Sequence, residues 1–121
     1  MNDPTFGHAA ATLPDIIQRY LRARDERDTD ATLVTFSPTA VVTDDGETAR
    51  GHDQIRHWLD TASREFTYER TLLEVESSGP DEWFVANNLR GNFPGGTVDL
   101  SYRFTLSDDV IQHLIIAPIA P

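Results

Sequence analysis

Two consecutive acids, Asp44 and Asp45, end the apolar, β-branched stretch "AVVTDDG" over residues 40–46. Asp-Gly is a strong hairpin-turn signal, and aspartate tolerates the backbone conformations that turns need. An aspartate that points back into an apolar interior has different chemistry. Desolvation raises its pKa toward the range of a working general base. Side chains alternate along a strand, so only one of the two can share the face of Ala40 and Val42. That one is Asp44, and Asp45 joins Gly46 in the turn.

The other groups able to move or hold a proton are few. In "VIQHLIIAPIA", Ile111, His113, Ile115 and Ala117 alternate with Val110, Gln112, Leu114 and Ile116, and both sets are largely apolar. On whichever face lines the interior, His113 is a candidate, since the unperturbed pKa of histidine lies near neutrality and suits proton exchange with Asp44; the alternative is a neutral buried imidazole bonded to a carbonyl. Parity in "VANNLRG" puts Asn87 inside with Val85 and Leu89, as a ligand-orienting amide or a satisfied core group. Arg90 has the opposite parity. Trp58 lies on the apolar face of a helix and serves as core or pocket wall. Tyr20 lies on a buried helical stripe, where a tyrosine hydroxyl needs one partner. His8, His52 and His57 lack metal-site spacing, His52 with Asp44 or Asp53 makes no convincing ligand set, and no metal or other cofactor is expected. With no cysteine, disulfides and thiolate chemistry are excluded. Glycines 91, 95 and 96 lack the strand-to-helix context of a phosphate loop.

These residues need elements to position them. Leu13, Ile16, Ile17, Tyr20 and Leu21 recur at helical spacing, with Pro14 suited to a first turn and Thr12 to a cap, so a helix is predicted over 13–27. "RDTD" can start a second, short helix carrying Leu33, Val34 and Phe36, stopped by Ser37-Pro38. After the strand "AVVT" and its turn, "GHDQIRHWLDTAS" places Ile55, Trp58, Leu59 and Ala62 at helical spacing. The period then changes to two. "EFTYERTLLEVES", "EWFVANNLRGNF" and "TVDLSYRFTL" read as strands joined by "SSGPD" and "FPGG". In the last of these, Val98, Leu100, Tyr102, Phe104 and Leu106 share one face, so Leu100 and Tyr102 are candidate pocket lining. Helices followed by a strand meander predict an α+β domain over 13–121, after a loose arm at 1–12, with a curved antiparallel sheet wrapped on about three helices to leave a cone-shaped pocket.

A net charge of -10 from ten basic and twenty acidic residues argues against nucleic acid and anionic membranes as partners. No membrane-spanning run or signal peptide is read, so a cytoplasmic setting is expected. Both faces of the final strand being apolar, a second copy of the chain is expected to cover the outer sheet face, making a homodimer.

The segments "IIQRYLRARDERDTDATLVTFSPTAVVTDDG", "GHDQIRHWL" and "YRFTLSDDVIQHLII", in that order, resemble the nuclear transport factor two-like superfamily. That superfamily includes SnoaL-like polyketide cyclases, ketosteroid isomerases, scytalone dehydratase and limonene epoxide hydrolase. The likeness runs from about Leu13 to Ala117. Similarity to the isomerases implies that Tyr20, in "QRY", stands where a tyrosine donates to the developing oxyanion, that Asp44 stands at the general base, and that Trp58 takes the place of a ligand-packing aromatic. Their second donor, a protonated aspartic acid, falls at Leu100, with Asp99 on the other face, so steroid isomerisation is not implied. Epoxide opening requires an inward Asp-Arg-Asp set, whereas Arg90, Arg103 and Asp99 read as outward. The resemblance implies a cofactor-independent isomerase, cyclase or dehydratase acting on a small, largely apolar carbonyl compound. Asp44 would be the base, Tyr20 and His113 the donors, and Trp58, Asn87, Leu100 and Tyr102 the shaping residues. The alternative is a non-catalytic small-molecule-binding or protein-interaction domain of the same fold.

Overall fold

The computed structural model describes residues 13–65 and 67–119, with main chain only at 63–65. The arm at 1–12 and the Thr12 cap lie outside the described residues. Helix α1 (Asp15–Asp25) follows Pro14, and Asp15 sits at its positive end. The short α2 (Thr29–Leu33) is capped by Asp28, whose side chain accepts from the Ala31 N–H at 3.0 Å. Strand β1 (Phe36–Asp44) turns through Asp45-Gly46 into β2 (Glu47–Arg50), and helix α3 (Gly51–Glu65) follows directly. Both turn residues have positive φ, 52° and 87°, the mirror-image hairpin turn that suits strand twist. Four long strands complete the chain: β3 (Tyr68–Gly79), β4 (Glu82–Gly91), β5 (Thr97–Ser107) and β6 (Val110–Pro118).

All six strands form one sheet in the order β2-β1-β6-β5-β4-β3, with β1 and β6 parallel and every other junction antiparallel. Ile17, Tyr20 and Leu21 of α1 and Ile55 and Leu59 of α3 pack on the inner face of the sheet, against Val42, Val85, Phe104, Ile111 and Leu114. Each such fully buried side chain contributes roughly 1.5–3 kcal/mol. Tyr20 meets Phe36 and Phe104 edge-on at centroid distances of 5.6 and 5.5 Å. A Cβ at Gly91 would collide with the backbone of Thr67 and Tyr68, so glycine there lets the start of β3 close onto β4. Among the described residues no helix is long and apolar enough to cross a membrane.

Two local expectations are corrected. Phe36 begins β1 instead of ending α2, and Pro38 lies inside that strand. The β1–β6 register breaks between Phe36 and Val41, so Pro38 sits where no ladder donor is required. The second correction concerns β6. Ile111 pairs with Leu106 and His113 with Thr105, so Gln112 is an extra residue. Its side chain spans the irregular region, accepting from Ser37 Oγ at 2.8 Å and donating to the Thr39 carbonyl at 3.2 Å. The bulge reverses the parity of everything after it. Leu114 and Ile116 are inside, and His113 and Ile115 are outside.

Candidate active site

Asp44 is the last residue of β1 and shares the inner face with Ala40 and Val42, as its strand parity predicts. It lies beside Ile116, which in turn pairs with Tyr102. The α3 residue Trp58 reaches over the strand end and donates its indole N–H to Asp44 Oδ2 at 2.9 Å. Burial pushes the Asp44 carboxyl above its ordinary pKa; the Trp58 hydrogen bond and the Arg24 charge oppose that rise, and Asp45 and Glu47 add to it. The carboxylate is therefore desolvated and held by one oxygen.

Asp44 borders two hollows. The inner cavity, about 210 Å³, is lined by Arg24, Trp58, Tyr68, Leu100, Tyr102 and Ile116 among others. The outer groove, about 490 Å³, runs between β2 and α3 past Glu47, Gln54, His57 and Thr61. Asp44, Trp58 and Ala62 line both. The inner cavity falls below the roughly 300–1,000 Å³ usual for a ligand pocket, so it suits a small molecule or one end of a larger one. Its walls are mainly apolar and aromatic. The Arg24 guanidinium lies over the Trp58 ring, 5.3 Å from the centroid, in cation–π contact. Burial pushes the Tyr102 hydroxyl well above the usual tyrosine range, so it remains a neutral donor at ordinary pH.

The expected set of Asp44, Tyr20 and His113 does not converge. His113 is on the outer face, between Thr105 and Val41, because of the Gln112 bulge. Tyr20 is fully buried and does not line the cavity. Its hydroxyl faces Arg24 without a hydrogen bond of acceptable geometry, and burial raises its pKa far above the ordinary value. Trp58, Leu100 and Tyr102 do line the cavity. Asn87 is inside, as parity predicts, but away from the cavity. Its Oδ1 accepts from Arg70 Nη1 at 2.9 Å, while Nδ2 has no hydrogen-bond partner among the described residues. Arg70 also grips Asp25 with two bonds of 2.9 and 2.8 Å. Asp99 is on the outer face, accepting from Asn88 at 2.8 Å, and Arg90 and Arg103 are exposed. His52 bonds the Phe36 carbonyl at 3.0 Å and ties α3 to β1. Among the described residues no three His, Asp or Glu side chains gather as a metal set.

Arg24 and Tyr68 are cavity residues that sequence reasoning did not single out. The signals were present. Arg24 follows Tyr20 by four residues on the same helical face, and Tyr68 shares strand parity with the inward Leu72.

Comparison with known proteins agrees with this architecture. A Sinorhizobium meliloti protein, SMa1630, whose structure is described as that of a candidate polyketide cyclase, is 38% identical, with a TM-score of 0.84 over 89% of this chain and 98% of that one. A Catenulispora acidiphila protein of ketosteroid isomerase-like fold, in complex with trimethylamine, is 17% identical with a TM-score of 0.77, covering 88% and 86% of the two chains. The epoxide hydrolase/cyclase-like enzyme SalBIII is 18% identical with a TM-score of 0.72, covering 87% and 88%. The search of curated proteins finds no match. The SnoaL-like domain family model matches residues 17–114, and the chain belongs to that family, within the nuclear transport factor two-like superfamily.

Proposed function

We propose that this chain is a cofactor-independent enzyme in which Asp44 moves a proton on a small carbonyl compound held in the inner cavity. The observation that carries this reading is the state of Asp44. It is desolvated, fixed by the Trp58 indole through one oxygen, and set in the wall of a mainly apolar cavity. A carboxylate so placed suits abstraction of a proton next to a carbonyl, the step shared by isomerisation, cyclisation and dehydration. The description of the S. meliloti relative favours cyclisation among the three. The donor roles expected of Tyr20 and His113 pass to groups that line the cavity, namely Tyr68, Tyr102 and Arg24. The sequence has no lysine, so a Schiff base with the carbonyl is excluded as an alternative. We further infer a cytoplasmic homodimer joined through the outer sheet face, where Val41 lies beside His113 and Ile115 lies beside Thr43.

Exchange of carbonyl α-protons with D₂O tests the reading without knowledge of the full reaction. Incubated with a panel of ketones, lactones and β-dicarbonyl compounds, the wild type is expected to accelerate exchange in at least one class. Asp44→Asn should slow that exchange by about 10²–10⁴-fold. A wild type that binds such compounds and exchanges none would favour the alternative, a non-catalytic binding domain of the same fold.

A further inference from the structure

Two arginines point toward the interior from the inner side of the sheet, and they are provided for differently. Arg70 spends its guanidinium on the Asp25 carboxylate and the Asn87 amide oxygen. Arg24 has no carboxylate within ion-pair distance among the described residues. Its surroundings are the face of Trp58 and the hydroxyl of Tyr20, which lies beside it without forming a well-aligned bond. A guanidinium carries five N–H donors in a planar fork shaped for a carboxylate or similar anion. Enclosing one with a single poorly aligned hydroxyl to accept from it is costly. This one lines the inner cavity together with Asp44, Tyr68 and Tyr102.

We propose that Arg24 is the anchor for an anionic oxygen group, so that the ligand of the inner cavity is a small acid: a carboxylate, or an enol or phenol that ionises near neutrality. The proposal rests on the cavity being the ligand site and names the class of ligand it takes. The opposite chemistry fits poorly. A cationic ligand would meet Arg24, and a neutral apolar one would leave its donors unmet. The acidic surface does not forbid an anion, because exposed charges beyond about 8–10 Å are largely screened at physiological salt. Trp58 joins the two charged groups, stacking under Arg24 and donating to Asp44. An acid held on Arg24 would therefore share the cavity with the base. Aromatic walls at Trp58, Tyr68, Phe93 and Tyr102 favour a flat ligand, and the volume of about 210 Å³ limits it to a small acid or the acidic end of a longer molecule continuing along the outer groove.

The test is a titration of the ¹⁵N-labelled chain with benzoate and with its neutral isostere benzamide, read from the Trp58 indole N–H resonance at physiological ionic strength. The wild type is expected to bind benzoate about tenfold tighter than benzamide, as a charge-assisted pair predicts. Arg24→Gln should remove that preference by weakening benzoate more than benzamide, and Arg24→Lys, which keeps the charge, should retain most of it. Equal affinities in the wild type, or a preference that survives in Arg24→Gln, would overturn the proposal. Benzamide binding as well as benzoate leaves the cavity a ligand site with the wrong class named; a Trp58 signal moved by neither probe removes the cavity reading and this proposal together. Proton exchange lost in Asp44→Asn while both probes still bind equally would keep Asp44 as base and reject the acid-binding role of Arg24.

Discussion

The Trp58 indole donates to one oxygen of Asp44 at 2.9 Å, and that single bond joins the longest helix to the end of the strand bearing the candidate base. It opposes the desolvation that raises the Asp44 pKa. Trp58→Phe keeps the ring and removes the donor. Asp44 should then titrate at higher pH than in the wild type, because the charged form loses the bond that favoured it. The carboxyl carbon resonance of Asp44 followed against pH reads this directly, and the acidic limb of any kcat/KM profile should move the same way. An unmoved Asp44 titration would show that the bond has no electrostatic consequence.

Asp44→Asn should separate stability from activity. With its folded pKa above the unfolded value, the native state binds the proton more tightly. The favourable contribution of Asp44 is therefore complete below the unfolded pKa and is lost as pH rises through the folded pKa. At neutral pH the ionised carboxylate works against folding. Asparagine cannot ionise and can still accept from Trp58. Thermal melts should show the variant at or above the wild-type Tm at pH 7, with the difference shrinking toward pH 4, although proton exchange is lost. A variant clearly less stable at pH 7 would mean that the carboxylate is a structural acceptor first.

How far the sequence foretold these positions depended on how one-sided each element is. In β5, Val98, Leu100, Tyr102, Phe104 and Leu106 alternate with polar residues, so the inward face was readable and the structure agrees. Asp44 was readable for the same reason, since Ala40 and Val42 set its parity. Strand β6 gave no such contrast. With apolar residues on both faces, nothing in the pattern marked the extra residue at Gln112, and a one-residue shift moves every later side chain to the opposite face. That is why His113 was expected in the pocket. Arg24 was missed for a different reason: Arg19, Arg22 and Arg24 lie close together on α1, and only the four-residue spacing from Tyr20 marks the one that is not exposed.

Tyr20→Phe provides the contrast to Asp44. The hydroxyl is buried, makes no aligned hydrogen bond among the described residues and does not line the cavity. Deleting it removes a desolvated polar group without orphaning a partner, so unfolding free energy should change by no more than about 1 kcal/mol. Tyr20→Ala would empty the space packed against Phe36 and Phe104 and should cost about 3–5 kcal/mol. Urea denaturation measures both. Proton exchange should persist in Tyr20→Phe within a few-fold, whereas a loss of 10²-fold or more would return the hydroxyl to the catalytic role that its place in "QRY" implied.

The outer sheet face offers the last prediction. Ile115 is 38% exposed there, beside Thr43 on β1 and Arg103 on β5. Nearby, Arg103 lies over the Phe84 ring at 5.1 Å, so part of the apolar surface is already shielded within one chain. If a second copy covers this face, Ile115→Asp places a carboxylate in an apolar interface with no designated partner. That should weaken association by about 3 kcal/mol, roughly a hundredfold in Kd. Sedimentation velocity should then show a wild-type dimer and a monomeric variant at the same concentration. Because Ile115 points away from the inner cavity, the monomer should retain its fold and its response to ligand at Trp58. A monomeric wild type would instead leave this face open to solvent, and the substitution would then change neither sedimentation nor stability appreciably.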